Sequence, residues 1–233
     1  MRILALDTAL PAVSACVLDS EVEEPLASET IPMERGHAEA LVPMLERIVG
    51  KIEGGFGSIT RIATTVGPGS FTGIRIGLAA GQAVALARKI EIVGVSTLAA
   101  LAAPHFGEEF EGVLAAAIDA RHGYVFVCAF DANGRMQLAP SRLTAAEAAQ
   151  ALRDIGENCG GAPHLVGSGA PLLEREARAL GIKAKVLRVT PAPDIAYVAR
   201  LGLIASPHDA PARPLYLKEA DVTLPGGAKP PEA

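Results

Sequence analysis

Cysteine is scarce and scattered: Cys16, Cys128 and Cys159 are odd in number, far apart, and never in a CxxC pair. That excludes a disulfide framework or a zinc knuckle, suits a reducing compartment, and leaves the thiols as small core residues. Runs of lysine or arginine are missing as well, and the formal net charge is −5 at pH 7. A chain of this balance does not bind nucleic acid through its own field, so any role on RNA would be indirect. No apolar stretch reaches membrane-spanning length. The longest, Ile76 to Ala87, is interrupted by Gln82 and bounded by Arg75 and Arg88. At the N-terminus Ile3-Leu4-Ala5-Leu6 meets Asp7, which is too short for a signal-peptide core. The expectation is a soluble cytoplasmic protein. His37, His105, His122, His164 and His208 stand singly, with no HxxxH or HExxH pair, so no metal site is read.

What is present is enough apolar sequence, 50% of 233 residues, for a substantial core. Arg2 to Leu6, Val13 to Leu18 and Leu26 to Ile31 read as strands. In His37 to Val49 the residues Leu41, Met44, Leu45 and Ile48 fall at helical spacing, with Pro43 expected to kink the helix or weaken its first turns. A strand at Arg61 to Val66, a long helix after Ser70, a strand at Glu91 to Val95 and a short helix from Ser96 follow. Strands alternating with helices indicate an α/β layer fold.

The chain also overlaps itself. Shifted by 112 positions, Ala5 to Ala27 lies without a gap over Ala117 to Ala139, and Ala5/Ala117, Asp7/Asp119, Val13/Val125, Cys16/Cys128, Asp19/Asp131, Leu26/Leu138 and Ala27/Ala139 coincide. Two related halves are expected, residues 1–108 and 109–222, followed by a disordered tail at 223–233. Related halves enclose a cleft. Asp7 and Thr8 after the first strand, Asp119 at the corresponding place, and the glycine turn Gly167 to Gly169 are its candidate nucleotide-facing residues. The glycine turn reads equally well as an ordinary strand-to-helix connection. Part of the Pro, Gly and Ala-rich segment beyond Ile204 is expected to pack through Leu215, Tyr216 and Leu217.

The densest cluster of special residues is GPGSFTGIR, Gly67 to Arg75. It is not a phosphate loop of the GxxxxGK[ST] type, since Thr72 stands where the second glycine belongs and no lysine occurs between Lys51 and Lys89. Nor is it a GxSxG elbow, because Pro68 and Thr72 flank Ser70. It reads instead as a turn, an N-cap at Ser70 and a helix to about Arg88. Gly73, Gly77 and Gly81 then recur on one stripe, each costing about 1 kcal/mol against alanine. Such a stripe calls for another backbone lying close. The partner is either an element of the same core or a second subunit that also uses the helix of Leu41, Met44, Leu45 and Ile48.

The strings LALDTALPAVSACVLD, HAEALVPMLERI, GPGSFTGIRIGLAAGQAVA, IDARHGYVFVCAF and PLYLKEA together resemble the TsaB family, formerly YeaZ, over about residues 1 to 220. The resemblance implies an α/β protein of two related lobes in the manner of actin, hexokinase and the chaperone ATPases. It implies a non-catalytic subunit in the transfer of a threonylcarbamoyl group to N6 of adenosine 37 of ANN-decoding tRNAs. Its partners would be a TsaD-like transferase and a TsaE-like ATPase, with a homodimer when alone, tRNA only indirectly, and no membrane. No cofactor of its own is implied; ATP or ADP and Mg would act only at the level of the complex. His37, Leu41, Met44, Leu45, Ile48, Gly73, Ile74, Gly77 and Gly81 are the interface residues so implied. On that reading Gly77→Leu abolishes pairing and spares the isolated fold. Where the TsaD sibling carries the metal-binding histidines of GVNHxxxH, this chain reads GVSTLAAL, with Thr97 and Leu101 in their places. The rival reading is a nucleotide-binding phosphotransferase or ATPase in its own right, using Asp7, Asp119 and the Gly167 to Gly169 turn.

Overall fold

The computed structural model describes residues 1–107 and 110–217, so the tail expected at 223–233 lies outside the described residues. The first half runs β1 (Arg2–Asp7), β2 (Ala12–Asp19), β3 (Ala27–Pro32), α1 (His37–Val49), β4 (Arg61–Gly67), α2 (Phe71–Arg88), β5 (Glu91–Ser96) and α3 (Thr97–Ala102). The second repeats that order: β6 (Val113–Asp119), β7 (Tyr124–Asp131), β8 (Met136–Thr144), α4 (Ala145–Asn158), β9 (Pro163–Val166), α5 (Ala170–Ala179), β10 (Lys185–Arg188) and α6 (Ile195–Ile204). The two sheets have matching topology, β3-β2-β1-β4-β5 and β8-β7-β6-β9-β10. The first three strands of each are antiparallel and the rest parallel. This is the two-lobed α/β architecture that the internal repeat predicts.

Local chemistry explains the helix starts. Ser70 Oγ accepts from the backbone N–H of Gly73 at 3.2 Å, Ser96 caps α3 in the same way, and Thr144 with Glu147 closes a capping box on α4. The helix α1 runs on through Pro43, which lies exposed, rather than ending there.

Each lobe keeps its own core on one face of its sheet. In the first, Leu4, Leu6, Val13, Ala15 and Val17 bury against Leu41, Met44, Leu45 and Ile48 of α1. In the second, Val113, Ala115, Ala117, Val125 and Val127 bury against Ala148 and Leu152 of α4 and Leu173 of α5. The opposite faces are shared by exchange. Helix α6 of the second half packs Ile195, Val198 and Ala199 under Ile3, Ala5 and Val93 of the first sheet. Helix α3 of the first half packs Leu98 and Leu101 under Leu114, Ala116 and Ile118 of the second. Leu10 and Ala12 join that second cluster, so apolar contacts fill the space between the lobes beside the β1–β2 turn.

The gapless repeat needs one correction. Asp7 pairs with Ser14 across β1 and β2, whereas Asp119 pairs with Val125 across β6 and β7, so the second hairpin connection is one residue shorter. Side chains alternate faces along a strand, and a shift of one reverses them. Even-numbered residues of β1 face the helices of their lobe, but odd-numbered residues of β6 do so. Asp7 and Asp119 therefore lie on opposite faces of their sheets, and Cys16 opposite Ala5 is not the counterpart of Cys128 opposite Ala116.

The glycine stripe of α2 faces the chain's own sheet. A Cβ on Gly73 would overlap the carbonyl oxygen of Thr8, and one on Gly77 would lie 2.7 Å from Thr8 Oγ1. One on Gly81 would meet Ile92 at 3.0 Å and Ile62 at 3.3 Å. Gly77→Leu is accordingly expected to destabilise the isolated chain by about 1–3 kcal/mol or more through overpacking, read as a lowered urea midpoint. A wild-type midpoint for this variant would show that α2 is not so closely seated.

Candidate functional site

The turn after β1, which carries the expected nucleotide-facing residues Asp7 and Thr8, is closed. The start of α2 lies directly on it: Ser70 N–H donates to Ala9 O at 2.7 Å, Thr8 Oγ1 donates to Gly73 O at 2.6 Å, and Gly69 leaves no room for a Cβ against the Ala9 carbonyl. Asp7 and Thr8 are fully buried. Asp7 Oδ1 accepts from Thr65 Oγ1 at 2.5 Å and from the Ala9 N–H at 3.0 Å, while Oδ2 is buried without a hydrogen-bond partner. Burial pushes the Asp7 carboxyl above its ordinary 3.8, against smaller opposing pulls from these hydrogen bonds and from His37. His37, half-buried at the start of α1, approaches Leu10 O through Nε2 at 3.1 Å.

The donors expected for a Mg–nucleotide do not fit it. The Ala9 N–H that would meet a phosphate is taken by Asp7, the carboxylate is buried, and the neighbouring carbonyls are aimed at α2. In the second lobe Asp119 is exposed and its Oδ1 accepts from the Arg121 N–H at 2.7 Å, the ordinary use of an aspartate in a turn. Gly169 N–H donates to Ala117 O at 3.0 Å, and Gly167, at φ 94°, sits where a Cβ would strike that same carbonyl. The glycine turn thus serves close packing of α5 on β6, its ordinary strand-to-helix role. A hollow of about 250 Å³ between the lobes is lined by residues including Thr30, His105, Arg188, Thr190 and Asp194, and by none of Asp7, Thr8, Asp119, Gly167 or Gly169. Thr97 and Leu101 are both buried, Leu101 within the apolar cluster under the second sheet. Among the described residues no group of three or more His, Cys, Asp or Glu side chains could hold a metal ion. Nor, among them, is any helix long and apolar enough to cross a membrane.

The surface formed by α1 and α2 differs from the one expected. Leu41, Met44, Leu45, Ile48, Gly73, Ile74, Gly77 and Gly81 are all buried within the lobe, because the apolar stripe of each helix is the stripe that meets the sheet. His37 is half-buried. What faces outward is a different row: Ala38 and Val42 on α1, and Thr72, Ala79, Ala83 and Leu86 on α2. Leu86 is 81% exposed and Val42 55%. A helical wheel drawn from the N-cap at Ser70 separates this row from the glycine row by roughly half a turn. That signal was in the sequence once the glycines were assigned to the core. Beyond α6 the chain returns along the other flank of α2: Leu215 N–H donates to Val66 O, and Gln82 Nε2 to Ala212 O.

Because the folded state raises the Asp7 value, the stabilisation held by its neutral form is full below 3.8 and is lost as pH rises through the folded value. Asp7→Asn does not ionise and keeps an oxygen for Thr65 and Ala9. It is expected to gain in melting temperature over the wild type progressively as pH rises above about 4. A pH-independent difference would contradict a buried, proton-holding Asp7.

A family model described as TsaD, tRNA N6-adenosine threonylcarbamoyltransferase, matches residues 29–198. The tRNA threonylcarbamoyladenosine biosynthesis protein TsaB of Escherichia coli is 37% identical over 137 residues, which are 58% of this chain and 58% of that protein. The chain thus spans little more than half the length of such curated relatives. An uncharacterised protein of Mycobacterium tuberculosis is 29% identical over 94% of this chain and 92% of its own length. The solved structure of YeaZ from Pseudomonas aeruginosa superposes with a TM-score of 0.70 at 26% identity, covering 93% of this chain and 99% of that one. With the family model matched over most of its length and these TsaB and YeaZ proteins as its relatives, the chain belongs to the TsaB (YeaZ) family.

Proposed function

We propose that this chain is a non-catalytic scaffold subunit of the machinery that places a threonylcarbamoyl group on N6 of adenosine 37 in ANN-decoding tRNAs. It pairs with a TsaD-like transferase and takes part in an assembly with a TsaE-like ATPase; alone, it pairs with itself. The names of the relatives support the pathway, and the closed β1–β2 turn supports the absence of chemistry. That turn is the observation that carries the reading. A phosphotransferase needs its carboxylates in an open cleft, and Asp7 is instead fully buried, held by Thr65 and the Ala9 N–H. ATP, ADP and Mg belong on this reading to the complex and not to this chain.

The pairing surface is the outward face of α1 and α2. Its small residues, Ala38, Thr72, Ala79 and Ala83, allow another helix to approach closely, and Val42 and Leu86 supply apolar area. Transfer of tRNA contact to the partner agrees with the chain's net charge of −5.

Ala79→Arg is expected to weaken pairing with the TsaD-like subunit of the same organism by at least about tenfold, while the melting temperature of the isolated chain is unchanged. Wild-type pairing for this variant would remove α2 from the interface. Calorimetry of the isolated chain with ATP and Mg is expected to show no tight binding. Binding with turnover would favour the phosphotransferase reading over the scaffold.

A further inference from the structure

The first turn of α2 carries a feature that the core does not need. Arg75 is exposed, yet it is fixed on two sides: its guanidinium carbon lies 3.8 Å from the centroid of the Phe71 ring, and Nε donates to Tyr216 Oη at 3.0 Å. The Phe71 and Tyr216 rings are themselves stacked, with centroids 4.9 Å apart. Tyr216 is held in place by the returning segment, whose Leu215 N–H donates to Val66 O at 2.7 Å and whose Leu215 side chain packs near Val66, Ile74 and Leu78. Phe71 and Tyr216 each remain 42% exposed as residues. Among the described residues the two terminal nitrogens of Arg75 make no hydrogen bond or ion pair, so a planar donor fork is held open beside two apolar ring surfaces.

We propose that this Arg75–Phe71–Tyr216 clamp is the polar anchor of the partner interface, and that it receives an Asp or Glu carboxylate of the subunit docked on α1 and α2. The inference rests on the scaffold reading given above and adds to it the chemistry of one contact. Position supports it: α1 lies along the flank of α2 that bears Ile76, Ala80 and Val84, and the returning segment lies along the opposite flank at Arg75 and Gln82. The clamp is therefore continuous with the outward row of Thr72, Ala79, Ala83 and Leu86 and forms its edge. A guanidinium with two free terminal nitrogens matches a carboxylate through paired, charge-assisted hydrogen bonds, which an ammonium cannot reproduce. The ring and Tyr216 contacts have already restricted the Arg75 rotamers, so less freedom is lost when the partner arrives. Exposed aromatic rings beside an arginine are also the composition of residues that dominate interfaces.

The test is calorimetric titration with the TsaD-like subunit of the same organism. Arg75→Met and Arg75→Lys are each expected to lower the affinity by at least about tenfold, with the melting temperature of the isolated chain unchanged. Tyr216→Phe keeps the stacked ring and loses only the anchor at Nε, so it is expected to fall between these and the wild type. The gap between wild type and Arg75→Met is expected to narrow from about 0.1 M to about 1 M salt. If Ala79→Arg abolishes pairing while both Arg75 variants pair as wild type, the clamp is refuted and the scaffold reading stands. If Ala79→Arg also pairs as wild type, both fall. If the Arg75 variants pair normally but the assembled complex loses affinity for tRNA, the clamp holds a phosphate and the carboxylate assignment is overturned.

Discussion

Helix α2 lies so near the end of β1 that no side chain fits between them along the row of Gly73 and Gly77, where a single methyl group would meet Thr8. Much else follows from that approach. It sets Ser70 and Gly69 onto the Ala9 carbonyl and draws Thr8 into a hydrogen bond with the first turn of the helix. The cost of three mid-helix glycines, roughly 3 kcal/mol against alanine, is offset by the backbone contact they permit and by the burial of Ile74 and Leu78 beside Val66. The same seating that stabilises the lobe closes the turn after β1.

Seating α2 by its glycine row also decides what it shows to solvent. Half a turn away stand alanines, a threonine and Leu86, a shallow ridge bordered by α1 on one flank and by the returning segment near Tyr216 on the other. The lobes are locked together elsewhere, by the exchange of α3 and α6 beneath each other's sheets and by Leu10 and Ala12 between them. The elements behind the ridge are thus already packed within the chain.

The internal repeat shows how a correct reading carries an error of register. Its existence is legible as coincident residues, and the matching element order of the lobes bears it out. The equivalence of Asp7 with Asp119 does not follow from it, because the hairpin connections differ by one residue and a strand alternates its faces with a period of two. One carboxylate goes inward beside Thr65; the other closes a surface turn at Arg121.

The sequence by itself determined the features that depend on neighbouring residues: the α/β alternation, the cap at Ser70, the helical stripes of α1 and α2, the failure of the phosphate-loop and nucleophile templates, and the packing of Leu215 and Tyr216. Only the tertiary structure decided which side of a stripe meets the sheet, that the glycines serve the chain's own core, that α6 crosses to the other lobe, and that Asp7 is closed off. Those depend on which distant backbone occupies the space beside a residue. Spacing along one chain fixes the shape of each surface, but its partner is chosen by the packing of elements far apart in sequence.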